Sequence, residues 1–135
     1  MNEESPSSTL GTWIAQPRGN LFFLNFEDLP FKPQRFFVVS YVPEGESRGS
    51  HAHYECEQLL VCIRGHIEII VDMGNSRQHH VLNPGDTLFH GKMEWAELKY
   101  YDDGELLSIC STPYDADDYI TDYDTFLKLA NANEE

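Results

Sequence analysis

The run Arg48-Gly49-Ser50-His51-Ala52-His53 holds the side chains of this chain best suited to chemistry. On an extended segment, histidines at i and i+2 point to the same face of a sheet. Where that face lines the inside of a small barrel, both imidazoles share one pocket. An unperturbed imidazole titrates near about 6.5, so each ring takes or gives a proton near neutral pH. Arg48 adds a permanent positive charge suited to phosphate oxygens. A short histidine-rich run is as often a plain surface strand, so its surroundings must decide.

Those surroundings are a single β-rich domain. The chain has 135 residues, 41% hydrophobic and 13% aromatic, which is enough to bury one core. Residues 1–9 read as a disordered tail and residues 10–135 as one domain. The net charge of −14 argues against nucleic acid or an anionic membrane as partner. It does not argue against a small anionic ligand held by a local cluster of arginines. No apolar run is long enough to span a bilayer, and residues 1–9 lack the form of a signal peptide. The cysteines Cys56, Cys62 and Cys110 are odd in number with no Cys-x-x-Cys spacing. They suit a reducing, cytoplasmic setting.

Short strands are expected from about Gly11 to Ile14, then in 21–26, 35–42, 58–63, 66–72, 77–82, 87–90, 95–100 and 105–112. Turns are expected at 17–20, 43–46, 64–65, 73–75, 83–86 and 102–104, where Gly, Pro, Asn and Asp gather. Ile67, Ile69 and Val71 alternate against His66, Glu68 and Ile70, a half-buried pattern. Strands this short and this regularly spaced predict a sandwich or small barrel. From Asp117 to Ala132 the spacing turns helical and predicts one or two short helices capping it.

Gly45, His51, His53, Gln58 and Gly65 match the first signature spacing of the cupin barrel. Gln58 stands where metal-binding cupins carry Glu. The second signature opens at Pro84-Gly85-Asp86 and would place its metal-binding histidine near Trp95. Two of four ligand positions are therefore Gln and Trp. An imidazole pair alone is a poor metal cage, since catalytic sites usually need three or more protein ligands. The histidines thus read as proton-transfer groups. His90 keeps a metal alternative open, whereas Glu57 should face away from its neighbour Gln58.

The chain also resembles the sugar-nucleotide 3,4-ketoisomerases, the WxcM-like cupins, from about Pro17 to Leu129. The resemblance rests on Pro17-Arg18-Gly19-Asn20-Leu21, Leu29-Pro30-Phe31 with Arg35, and Val42-Pro43-Glu44-Gly45. It continues through the 48–53 run, Gln58, Leu60-Val61-Cys62, Trp95, Tyr114-Asp115 and the closing 118–123 run. It implies an all-β cupin double-stranded β-helix (jelly-roll) barrel with short C-terminal helices. It implies an isomerase moving the keto group of dTDP-4-keto-6-deoxyglucose from C4 to C3, with no metal and no cofactor. His51 and His53 would be the acid–base pair, with His51 at carbon. Arg18, Arg35 and Arg48 would meet the pyrophosphate, Gln58 the sugar, and Trp95 the sugar or base. It further implies a homodimer, with N-terminal strands exchanged between subunits as a variant of it. The product would feed an aminotransferase making a deoxyamino sugar for a surface glycan such as lipopolysaccharide O-antigen or S-layer.

The chain departs from the family pattern at Tyr54, where lysine is usual, and at Thr121, where arginine is usual. Phe36 and Phe37 follow Arg35 where a tyrosine is frequent, and the 89–92 segment lacks the usual apolar-proline run. These departures bear on substrate rather than fold. Three alternatives stay open: a 3,5-epimerase, a metal-dependent cupin using His51, His53 and His90, and a non-catalytic sugar-nucleotide binder. Residue by residue, Arg18 also reads as a turn residue, Arg35 as a surface strand residue and Trp95 as core filling. His66, His79 and His80 read as solvated.

Overall fold

The structure, a computed structural model, describes residues 10–132. The tail expected over 1–9 lies outside the described residues. Nine strands are described: β1 Thr12–Gln16, β2 Gly19–Phe23, β3 Arg35–Val39, β4 Ser47–His53, β5 Gln58–Asp72, β6 Arg77–Leu82, β7 Thr87–His90, β8 Trp95–Cys110 and β9 Tyr119–Ile120. One helix, α1, spans Tyr123–Ala132, with 3-10 turns at Phe26–Asp28 and Ala116–Asp118. All strand pairing is antiparallel. The main sheet runs β6-β5-β8-β4-β9, with β3 on β8 and β7 on β5, while β1 and β2 form a separate hairpin. This is the cupin jelly-roll.

The two long strands organise it. β5 pairs with β7 through residues 58–61 and with β6 through 67–72. β8 pairs with β4 near 96–99 and with β3 through 106–110. Each long strand therefore passes from one wall of the barrel to the other. The turns expected at 64–65 and 102–104 are not turns. They face each other across the β5–β8 ladder as register shifts between Cys62 and His66. Gly65 has φ +66, and a Cβ there would lie 2.4 Å from the carbonyl oxygens of Tyr101 and Asp102. Asp102 and Asp103 adopt φ +56 and +60 opposite it. Glycine and aspartate here bend continuous strands, as bulges do at barrel corners.

Two apolar clusters result. The inner one fills the barrel with Ile67, Ile69, Val71, Leu82, Leu98 and Tyr100 among others, as the alternation over 66–71 predicts. The outer one sits behind β4, where Ala52 meets Trp95, Ile120, Phe126 and Ala130. Asp122 starts α1 by accepting the Thr125 N–H at 3.0 Å, an N-cap. The tail is only partly helical: Tyr119 and Ile120 extend the sheet as β9, pairing with His53 and Ala52. Trp95 is 4% exposed in the outer cluster, with its indole N–H on Glu97, the core-filling arrangement left open for it. One further expectation fails here. His80 is buried, unlike His66 and His79.

Candidate active site

A cavity of about 570 Å³ opens between β3, β4 and the far ends of β5 and β8. Its floor is the upper surface of the inner core, including Leu60, Leu98 and Leu106. Arg35, Arg48, His51 and Gln58 all reach its wall. Among the described residues that line it there is no carboxylate. A chain of net charge −14 thus keeps one pocket locally positive, which answers how it admits an anionic ligand.

Arg48 and His51 share this wall only because β4 is bulged. Residues three apart on a regular strand face opposite sides. Here Arg48 pairs with Leu98 and His51 with Ala96, so three steps on β4 oppose two on β8. Gly49, at φ +82, supplies the backbone shape that one extra residue needs. Arg48 stays exposed at the mouth, where it also borders a groove along residues 38–43.

His51 and His53 lie edge to face, ring centroids 4.7 Å apart. Tyr119 packs against both, at 5.0 Å from His51 and 4.5 Å from His53. Of the two histidines of β4, only His51 lines the cavity. His53 is fully buried behind it, and neither of its ring nitrogens has a hydrogen-bond partner. Burial and the neighbouring rings hold His51 down to about 3 and His53 down to about 4, Arg35 adding to the effect on His53. Both are therefore neutral at pH 7, the form that accepts a proton.

His90 sits 6.1 Å from His53. Its Nε2 lies 2.7 Å from the Glu94 carbonyl, which only accepts, so Nε2 carries the hydrogen. Burial lowers its basicity too. Its Nδ1 meets the Gln58 side-chain amide at 3.4 Å. A neutral ring accepts there, which calls for the Gln58 amide nitrogen at that position, an orientation set by the network. Both nitrogens of His90 are thus engaged by protein. No group of three His, Cys, Asp or Glu among the described residues is arranged to hold a metal ion.

Arg35 is tied into the wall rather than loose. Its Nε donates to the Thr112 carbonyl at 3.3 Å and another nitrogen to the Cys56 sulfur at 3.8 Å. The Phe37 and Tyr114 rings flank it at 5.7 Å each, and the Tyr119 hydroxyl is among the groups that raise its pKa. Hydrogen bonds from Cys110, then Thr112 and Arg35, draw the Cys56 thiol down to about 5. Arg18 lies on the exposed β1–β2 turn, and neither it nor Trp95 borders the cavity.

Residues 9–131 match the family described as "FdtA: WxcM-like, C-terminal". The chain belongs to this family. It is 35% identical over 118 residues to TDP-4-oxo-6-deoxy-alpha-D-glucose-3,4-oxoisomerase of Aneurinibacillus thermoaerophilus, covering 85% of each chain. A 3,4-ketoisomerase from Helicobacter canadensis superposes with TM-score 0.82 at 32% identity, over 91% of this chain and 95% of that one. A sugar 3,4-ketoisomerase from Thermoanaerobacterium thermosaccharolyticum, solved in complex with TDP, gives TM-score 0.83 at 28% identity over 93% of each.

In this member of the WxcM-like family, the closing run does more than its helical spacing implied. Asp118 accepts the backbone N–H groups of Glu55 at 2.8 Å and Cys56 at 3.1 Å, fixing the chain just after His53. Tyr119 then lies on the histidines. The signal for both was present as the run Asp118-Tyr119-Ile120, inside the stretch whose spacing predicts helix. Only the pairing of β9 with β4 brings them to the site.

Proposed function

We propose that this chain is a 3,4-ketoisomerase of a nucleotide-linked 4-keto-6-deoxyhexose, with TDP-4-keto-6-deoxyglucose as substrate. The observation that carries this reading is His51: a neutral imidazole in the wall of a cavity that has two arginines and, among its described lining residues, no carboxylate. Moving a ketone from C4 to C3 passes through a C3–C4 enediol. His51 takes the C3 proton and returns it at C4. A positioned acid–base group is worth about 10²–10⁴-fold. His53 supports His51 from behind, and Gln58 holds the sugar from the wall. Arg48 at the mouth meets the diphosphate, and Arg35 supplies positive charge deeper in the wall.

Family membership and the names of the relatives support the substrate class. The β1–β2 hairpin leaves Leu21 54% and Phe23 44% exposed, which suits a homodimer that covers it. In such a dimer Arg18, on the same hairpin, approaches a site by way of the partner. No helix among the described residues is long and apolar enough to cross a membrane. A cytoplasmic enzyme feeding an aminotransferase of surface-glycan synthesis fits the three free thiols and a keto product.

The test is an NMR assay with TDP-4-keto-6-deoxyglucose in D₂O. Deuterium at C3 and a new 3-keto species are expected, with C4 couplings naming the product. His51→Asn is expected to lower both exchange and turnover by about 10³-fold or more. No exchange with wild-type protein, or unchanged turnover in His51→Asn, would sink the reading.

A further inference from the structure

The isomerisation moves two protons, and His51 accounts for one. As the C3 proton leaves, its electrons form the C3–C4 double bond and the C4 carbonyl electrons move to O4, which takes a proton. Then O3 gives up its proton, its electrons form the C3 carbonyl, and C4 takes back the proton from the His51 imidazolium. Some group must donate to O4 and then accept from O3.

The groups able to do this can be worked through one at a time. His53 does not reach the cavity surface. His90 is 2% exposed, with Nε2–H committed to the Glu94 carbonyl. Arg35 and Arg48 do not release protons, and Gln58 does not titrate. Tyr100 is 1% exposed on the floor, and burial pushes its hydroxyl up to about 12. Tyr114 is 67% exposed and turns its ring face to Arg35.

Tyr119 remains. It lines the cavity, and its ring packs on His51 at 5.0 Å, so its hydroxyl and the base address neighbouring parts of one substrate. A guanidinium only donates, so toward Arg35, whose pKa the Tyr119 hydroxyl raises, the Tyr119 oxygen can only accept. The Tyr119 O–H proton is thereby left for the cavity that its ring lines. From these contacts we infer that Tyr119 is a catalytic residue that carries the oxygen-bound proton, giving it to O4 and recovering it from O3. O3 and O4 are vicinal and coplanar in the enediol, so one hydroxyl serves both. At the end of the cycle His51 and Tyr119 regain their starting protonation. The inference rests on the isomerase reading above.

Tyr119→Phe keeps the ring on both histidines and removes only the hydroxyl. The expected result is a loss of kcat of about 10²-fold or more with KM and thermal midpoint nearly unchanged. The alkaline limb of the wild-type kcat profile should vanish in Tyr119→Phe. Fluorotyrosine incorporated at position 119, a stronger acid of the same shape, should restore turnover and move that limb to lower pH. If wild-type protein isomerises the substrate and Tyr119→Phe does so at the same rate, Tyr119 is not the carrier. The same follows if the variant loses activity through a raised KM or a lowered thermal midpoint, or if fluorotyrosine leaves the limb in place. If wild-type protein leaves the substrate unchanged, the isomerase reading itself has failed.

Discussion

The two faces of β4 do different work. Ala52 points out into the outer cluster and touches Trp95, Ile120, Phe126 and Ala130, a packed apolar layer. His51 and His53, one residue to either side, point inward beside a cavity with Arg35, Arg48 and Gln58 on its wall. The inner face leaves both ring nitrogens of His53 buried without partners, which is a cost in a folded chain. The outer face buries apolar surface, which offsets such costs. β9 joins the two, with Ile120 in the outer cluster and Tyr119 on the histidines. One lesson is that a reactive arrangement on one side of a strand depends on ordinary packing on the other.

Breaking the outer face should have the largest effect on stability. Phe126 is fully buried between Trp95 and Tyr123. Phe126→Ala is expected to cost about 3–5 kcal/mol in urea unfolding, with kcat also reduced because β9 loses its backing. A cost under about 1 kcal/mol, the size of an ordinary surface change, would show that the barrel holds the histidines without the helix.

The inner face should be more sensitive in function than in stability. At φ +82, Gly49→Ala forces an L residue into a left-handed conformation, a strain of about 1–2 kcal/mol. The bulge that lets Arg48 and His51 share a wall is then strained. A loss of kcat/KM greater than the loss of stability is expected. Equal losses would mean that the bulge is only a structural detail.

The same face should also show itself as a pH slope. His51 and His53 stay neutral in the fold down to about 3 and about 4, whereas unfolded histidines protonate near about 6.5. Between those values the unfolded chain binds more protons, so stability falls as pH is lowered from about 6.5 toward about 5. Urea unfolding at several pH values should show this decline, and His51→Asn should flatten it. The acid limb of kcat/KM should likewise lie well below 6.5. A limb at 6.5 would mean that His51 is solvated in the working enzyme.

Much of this was legible along the chain. The strands at 77–82 and 87–90 fall where period and turn residues place them, because short amphipathic strands are local features. Glycine and aspartate at 64–65 and 102–104 were misleading. Their backbone freedom serves a turn and a bulge equally well, and only the facing strand shows which. Trp95 matched a ligand position by spacing, yet its side chain falls on the outer side of the barrel. Tyr119 was hidden by the opposite error, since helical spacing over 117–132 outweighed a two-residue strand.

By itself, the order of residues determined the fold class, the inward-facing histidine pair and the family. Hydrophobic period, turn chemistry and a dense local motif are all properties of neighbours in the chain. Tertiary structure alone decided which histidine meets the cavity, that Arg48 joins His51 through a bulge, and that Tyr119 sits on both rings. It also decided that Arg18 and Trp95 stand apart from the cavity. These outcomes depend on contacts between residues as far apart as 53 and 119, and no local pattern carries the register in which such segments meet.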